Sequence, residues 1–204
     1  PFADPGLEKS YYTSALEAIY VRNKHSGQFG SIYLPGGPRL GPTTTFYWDV
    51  VEWARVYALL DPQSLRDWIV ACLSNPYDRG MAMDCKNLLP IGNYYSANDF
   101  SLFRSVECYV GITGDTSVLD ELAGGRPIIE HLREMAFRPL VKNAAFGEGI
   151  LVDFGDDPWE LLEAVPNYRH AVVSFNAAYV GMLRGFADLL SWSEQPAEAS
   201  AARE

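Results

Sequence analysis

Cysteine, histidine and basic residues are scarce in this chain, and each shortage closes off a class of chemistry. Only three cysteines occur among 204 residues, Cys72, Cys85 and Cys108, odd in number and without a CxxC pair. That pattern excludes a disulfide framework and a thiolate zinc site, and fits small buried residues of a reducing compartment. The histidines, His25, His131 and His170, are scattered without metal-ligand spacing, so no metal is expected. Lys and Arg number 16 against 26 Asp and Glu, a net charge of -10 with a pI near 4.7. Such acidity argues against nucleic acid or an anionic membrane surface as partner. No apolar run approaches the roughly 18 residues needed to cross a bilayer, and no charged-then-apolar leader opens the chain. The expected compartment is the cytoplasm, although a start at Pro1 rather than Met fits a trimmed or partial sequence and leaves a lost signal peptide open. GxSxG, Walker, GxGxxG and HExxH motifs are all missing, so no cofactor is expected either.

What is present is apolar and aromatic. At 48% hydrophobic and 13% aromatic, the chain has ample material for a core, and its length suits one domain. Acidity combined with many Trp and Tyr suits neutral polar ligands such as sugars, whose C–H faces stack on rings. Aromatics also fill cores, so composition alone does not separate the two uses.

Hydrophobic periodicity is mostly helical. Residues 7–24 place Leu7, Tyr11, Ala15, Ala18 and Ile19 near one face. Residues 50–60 are apolar almost all round, as in a helix buried on most sides. Asp61 and Pro62 then read as N-cap and first helical residue of an outer helix with the stripe Leu65, Trp68, Ile69, Cys72 and Leu73. The pairing repeats in looser form. Residues 98–114 close on Gly114, 115–124 begin on an Asp cap, 126–143 are amphipathic and interrupted by Pro139, and 166–191 are apolar on nearly every face. Long loops, 25–48, 75–99 and 144–166, lie between, with short strand candidates at 30–34 and 149–154. Loops longer than about 12–15 residues are uncommon in compact domains and usually functional. The expected architecture is therefore all-α, with inner and outer helix hairpins and long loops at one end. It is a partial α/α toroid over 1–191, followed at 192–204 by a tail or the start of another helix.

Three loop-to-helix junctions carry the polar residues. PGGPRLGPTTTFYWD (35–49) delivers Asp49, behind Tyr47 and Trp48, to the start of an apolar run. Asp49 either caps that helix or holds a ligand, and the two roles are compatible. IGNYYSAND (91–99) holds Asn93, Asn98 and Asp99 with two tyrosines, either a turn and cap or a surface that reads hydroxyls. In GEGILVDFGDDPWELLEAVPNYRH (147–170), Asp156 or Asp157 fits a cap for the short helix that follows. The spacing of its acids departs from a calcium loop of EF-hand type. Asp153, between Val152 and Phe154, fits a cap least well. A carboxyl among apolar neighbours stays protonated to higher pH, as a general acid must. His170, near Asn167 and Arg169, either lines a site or is structural.

These residues resemble a family. PGG followed by YWD is similar to the first signature of trehalases, and the order of PIGNYYSANDFSLF, VDFGDD and VVSFNAAYVGMLRGFADLL is trehalase-like across 35–190. Mannosyl-oligosaccharide glucosidases and glucosylglycerate or mannosylglycerate hydrolases share this arrangement. The resemblance implies an (α/α)6 barrel and an inverting glycosidase. Trp48 and Asp49 would bind the sugar in the cleaved subsite with Tyr47 and Arg39 nearby, Asn93 would assist, and Asp153 would be the general acid. Asn98, Asp99 and Asp156 complete the expected substrate-binding set. The chain departs from trehalases in lacking an Arg in the Asn loop, which weakens trehalose itself as substrate, and in displacing the Arg after Pro-Gly-Gly to Arg39. No segment matches the family's catalytic base, so the remaining half of the barrel is expected from further sequence, and this stretch alone is expected to be inactive. The expected function is an α-glycosidase acting on a small α-glucoside or α-mannoside. The rival reading is a carbohydrate-binding, non-catalytic toroid. A terpene-cyclase-like toroid would need a magnesium-binding acidic motif, which GDDPWELLE matches poorly.

Overall fold

The computed structural model describes residues 2–24, 29–35, 43–143, 151–156 and 167–193. Helix dominates, as the periodicity predicts. Helix α1 (Pro5–Tyr20) starts on Asp4, whose carboxylate accepts from the Gly6 N–H at 2.7 Å. It stops short of the expected residue 24, because Arg22–Lys24 forms strand β1, paired antiparallel with β2 (Ser31–Tyr33). Of its residues only Ala18 is buried, and Leu7, Tyr11, Leu16 and Tyr20 are exposed.

Helix α2 (Tyr47–Leu60) grows directly out of strand β3 (Thr44–Phe46). Phe46 occupies its N-cap without a side-chain hydrogen bond, and Asp49 lies in the first turn, so Asp49 is not the cap. Helix α3 (Pro62–Leu73) is capped as expected, Asp61 accepting from the Ser64 N–H at 3.3 Å. Its predicted stripe is the core-facing one. Trp68 has no exposed surface, and its indole N–H donates to Thr45 Oγ1 at 2.9 Å, tying α3 to β3.

The expected loop 75–99 contains structure of its own. Strands β4 (Ala82–Asp84) and β5 (Pro90–Ile91) extend β3 into a three-stranded antiparallel sheet. Helix α4 (Ala97–Thr113) ends at Gly114 in the left-handed region, φ 70°, where a glycine carries no Cβ penalty. The helix expected over 115–124 is only a 3-10 turn, Thr116–Asp120, capped by Asp115. It leads into a hairpin of β6 (Leu122–Ala123) and β7 (Arg126–Pro127). Gly124 and Gly125 both have positive φ there, the backbone a two-residue hairpin turn requires. Helix α5 (Ile128–Asn143) carries Pro139 inside it, and α6 (Val173–Trp192) is the longest. The strand expected near 149–154 does not form over its described part, 151–154.

Side-chain contacts set the helix directions. Trp48, at the start of α2, touches Tyr95 just before α4, and the first turns of α4 and α6 line one cleft through Asp99 and Phe175. Arg138, late in α5, reaches Asp99 early in α4. Arg66, early in α3, pairs with Asp115 just past the end of α4. Thus α2, α4 and α6 run one way and α3 and α5 the other. The closest-packed pair is α2 with α4. Their core joins Tyr47, Trp68, Leu102, Phe103 and Phe186.

Gly185 permits the approach of α4 to α6. A Cβ there would stand 2.9 Å from Phe103 Cε1 and 3.2 Å from Glu107 Oε1. Overpacking costs about 1–3 kcal/mol, partly offset by the roughly 1 kcal/mol gained on replacing a helical glycine. Gly185→Ala is expected to lower unfolding stability by on the order of 1 kcal/mol, measured by denaturant titration. A stabilised variant would show that the two helices do not need this contact.

Candidate functional site

The helices that run in the same direction gather their N-terminal ends on one side, and the sequence-predicted residues divide there into surface and support. Trp48 and Asp49 are half-buried in the first turn of α2. The Trp48 ring lies 5.6 Å from both Phe46 and Tyr95, a tilted aromatic file running from α2 toward α4. Burial raises the Asp49 carboxyl above its ordinary range, opposed by a hydrogen bond from Trp48. Tyr47 points the other way. It has no exposed surface, its hydroxyl is buried without a partner, and burial drives its phenol pKa well up. It is core, not contact surface.

Asn93 is exposed in the loop before α4. Asn98 has no exposed surface and donates from Nδ2 to the carbonyls of Gly80 (2.7 Å) and Tyr77 (3.3 Å). Its role is to fasten the 77–80 turn onto α4, and it offers nothing to a ligand. Asp156 is exposed at the edge of its segment. Arg39 lies outside the described residues.

Asp99 is where the sequence expectation and a real cavity meet. A cleft with about 400 Å³ of empty space, counting its mouth, opens between the start of α4, the end of α5, the 151–156 segment and the first turns of α6. Asp99 and Arg138 provide its charge, and Phe154, Phe175 and Tyr179 are among its aromatic walls. The Asp99 side chain is only 4% exposed. Its Oδ2 accepts from the Tyr94 hydroxyl at 3.0 Å, while Oδ1 faces Arg138 Nη1 at 3.3 Å, close enough to pair but not aligned for a hydrogen bond. Burial lifts the carboxyl to about 7, against the opposing pull of Arg138 and the Tyr94 hydrogen bond. The Arg138 guanidinium stacks over Tyr77 and Tyr94 at 5.8 and 5.7 Å and donates to Glu134 Oε1 at 3.0 Å. Tyr179 brings a buried hydroxyl without a partner to the same cleft. The cleft therefore combines apolar ring faces with a charge-neutral polar floor, which suits an uncharged, hydroxyl-bearing group.

Asp153 stands beside this cleft, next to Phe154. Its surroundings are polar rather than apolar. Oδ1 accepts from the Gly155 N–H at 2.8 Å, and both carboxylate oxygens lie 3.2 Å from Nδ1 of His170. The sequence expectation of an acid enclosed by apolar side chains is thus corrected, because the backbone turns Val152 and Phe154 away while Gly155 and His170 close on the carboxylate. Asn176, in the first turn of α6, clasps this segment. Its Oδ1 accepts from the Val152 N–H at 2.7 Å, and its Nδ2 donates to the carbonyls of Val152 and Val172 at 3.0 Å each.

Arg138, Tyr179 and Asn176 are absent from the sequence-predicted set, and Tyr94 entered it only as one of two tyrosines beside Asn93. Arg138 and Asn176 sit in amphipathic or apolar helices where nothing local marks them. Their partners lie 39 and 24 residues away, Asp99 for the first and Val152 for the second. The one sequence signal for Asn176 was its place in the helix that carried the resemblance.

Fold and cleft define a mostly helical protein with a buried carboxylate and aromatic walls where its helix N-termini converge. No family model matches the chain, and no curated protein matches it. Among the described residues, no helix is long and apolar enough to span a membrane, and no three metal-ligating side chains cluster.

Proposed function

We propose that the chain forms the sugar-binding, acid-bearing part of an α/α-toroid glycoside hydrolase of the trehalase and glucosidase type, acting on a small α-glucoside or α-mannoside. One observation carries the reading. Two segments that resemble the family, NYYSAND and VDFGDD, meet at one aromatic cleft through Tyr94, Asp99 and Phe154, and YWD adjoins the first of them through the Trp48–Tyr95 ring contact. Alternating helix directions along α2 to α6 are what inner and outer hairpins of a toroid require. In this mechanism Trp48 stacks on a sugar face, Asp49 and Asn93 take its hydroxyls, and the Asp99 floor takes a further one. Asp153 gives a proton to the glycosidic oxygen. Inversion then needs a second carboxylate, about 6.5–9.5 Å from Asp153, to activate water on the opposite face.

A non-catalytic sugar-binding protein is the second reading. It is favoured by the contacts of Asp153, whose oxygens are already engaged by a backbone N–H and an imidazole. Calorimetric titration with glucose, mannose and trehalose tests the shared part of both readings. Asp49→Ala is expected to weaken sugar binding about tenfold, as loss of a hydrogen bond to a charged group does. Unchanged affinity would return Asp49 to a purely structural role. Assays with aryl α-glycosides separate the readings. In a protein that also carries the base, Asp153→Asn should lower turnover by about 10²–10⁴, the usual worth of a positioned acid, while sugar binding persists.

A further inference from the structure

His170 is exposed, yet its backbone is held in a conformation that non-glycine residues rarely adopt. Its φ is +58°, a sparsely populated region that persists only where surrounding contacts demand it. Those contacts are specific. The His170 N–H donates to the Gly155 carbonyl at 2.5 Å, and its own carbonyl accepts from Phe154 at 3.1 Å and Val172 at 3.0 Å. The turn is thereby laced to the strip 152–155, which Asn176 holds from the other side. The consequence is that Nδ1 sits 3.2 Å from each oxygen of Asp153, while 63% of the side chain remains open to solvent. Among the described residues, His170 is the one titratable group in contact with that carboxylate.

We propose that His170 is the positioning and proton-relay partner of Asp153, its Nδ1 paired with the carboxylate and its exposed ring joining that carboxylate to solvent. The proposal rests on the reading of Asp153 as the acid. When Asp153 has given its proton to the leaving oxygen, it is left as a carboxylate facing the Nδ1–H of a neutral imidazole. A proton from solvent binds Nε2. The Nδ1 proton then passes to the carboxylate, which restores the acid and leaves the neutral ring with its hydrogen on Nε2. Charge and protons balance, and no group outside the chain other than water is needed. Once solvent exchange has re-equilibrated the ring beside an ionised Asp153, it rests as the Nδ1–H tautomer. Free imidazole side chains in water favour hydrogen on Nε2, so the paired tautomer is a signature that mere packing of a surface histidine does not produce.

Long-range ¹H–¹⁵N spectra of the His170 ring in the full chain, recorded with the ring neutral, decide the pairing. The expected result is the Nδ1–H tautomer, reverting to Nε2–H in Asp153→Ala. Asp153→Asn, which keeps an acceptor for the Gly155 N–H, is the companion variant in case the alanine loosens the turn, and it should give a mixture of tautomers. An Nε2–H ring in the unaltered chain, indifferent to both substitutions, overturns the proposal whatever hydrolysis shows. A second arm uses a preparation that cleaves aryl glycosides. There His170→Gly should lose at least tenfold in turnover and regain part of it with added imidazole. No rescue overturns the relay. A locked tautomer in a protein that also carries the base and yet cleaves no glycoside sinks the hydrolase reading and leaves the pair standing.

Discussion

Replacing Arg138 by methionine is expected to cost about 3–5 kcal/mol of folding stability at pH 8, the penalty for stranding a buried charge. The guanidinium is 17% exposed and the carboxylate it faces, Asp99, only 4%. Methionine preserves much of the apolar stem but leaves Asp99 with the Tyr94 hydroxyl as its single hydrogen-bond donor. It also removes the cation from the Tyr77 and Tyr94 rings and leaves Glu134 with Arg126 as its remaining partner. The penalty should shrink at pH 5, where Asp99 is protonated and no stranded charge remains. Urea unfolding at the two pH values measures both quantities. A loss below about 1 kcal/mol at pH 8, typical of an exposed ion pair, would show that the pair is not buried in solution.

Stability of the unaltered protein should fall as pH rises from about 4 to about 7, on account of Asp99. Its folded carboxyl is lifted from 3.8 to about 7, chiefly by burial. Across that window the native state binds a proton that the unfolded chain has already released, so the derivative of stability with pH is negative. The contribution is fully present below the unfolded value and is lost as pH climbs through the folded one. Each tenfold difference in proton affinity between the two states is worth about 1.4 kcal/mol, so the effect is on the order of a few kcal/mol. Asp99→Asn keeps an acceptor for the Tyr94 hydroxyl and should flatten this slope. An identical pH profile in the variant would sink the assignment. The same titration bears on ligand choice. Near pH 7 the cleft floor exchanges a proton, so binding of an uncharged hydroxyl that donates to Asp99 should strengthen as the carboxylate forms.

Several elements were legible before any tertiary contact was known. The cap at Asp61 with Pro62 after it, the stripe Leu65 to Leu73 and the stop at Gly114 are all local signals, and the helices they mark are present, whereas Pro139 does not interrupt its helix as expected. The expectations that failed were also local. Residues 22–24 continue a helical pattern, but pairing with Ser31–Tyr33 draws them into a strand. Residues 115–124 begin on a good cap, yet consecutive glycines after Ala123 turn the chain back as a hairpin before a helix can propagate. The Asp49 cap was the commonest role for that residue type, and the helix instead begins three residues earlier than such a cap requires, straight from a strand.

By itself the sequence determined the helical class, the acidic and aromatic character, and the three junctions at which polar residues gather. Those properties depend on neighbours three or four positions apart, or on composition. Tertiary structure alone decided which of the gathered residues face a cleft. Tyr47 and Asn98 turned inward because their backbones enter helices whose buried faces they share. Asp99 became a buried carboxylate because Arg138 arrives from a helix running the opposite way. Asp153 acquired His170 because a left-handed turn and the Asn176 clasp bring residues seventeen apart together. Burial and charge pairing are set by what approaches from distant parts of the chain, and hydrophobic periodicity along one helix carries no record of that.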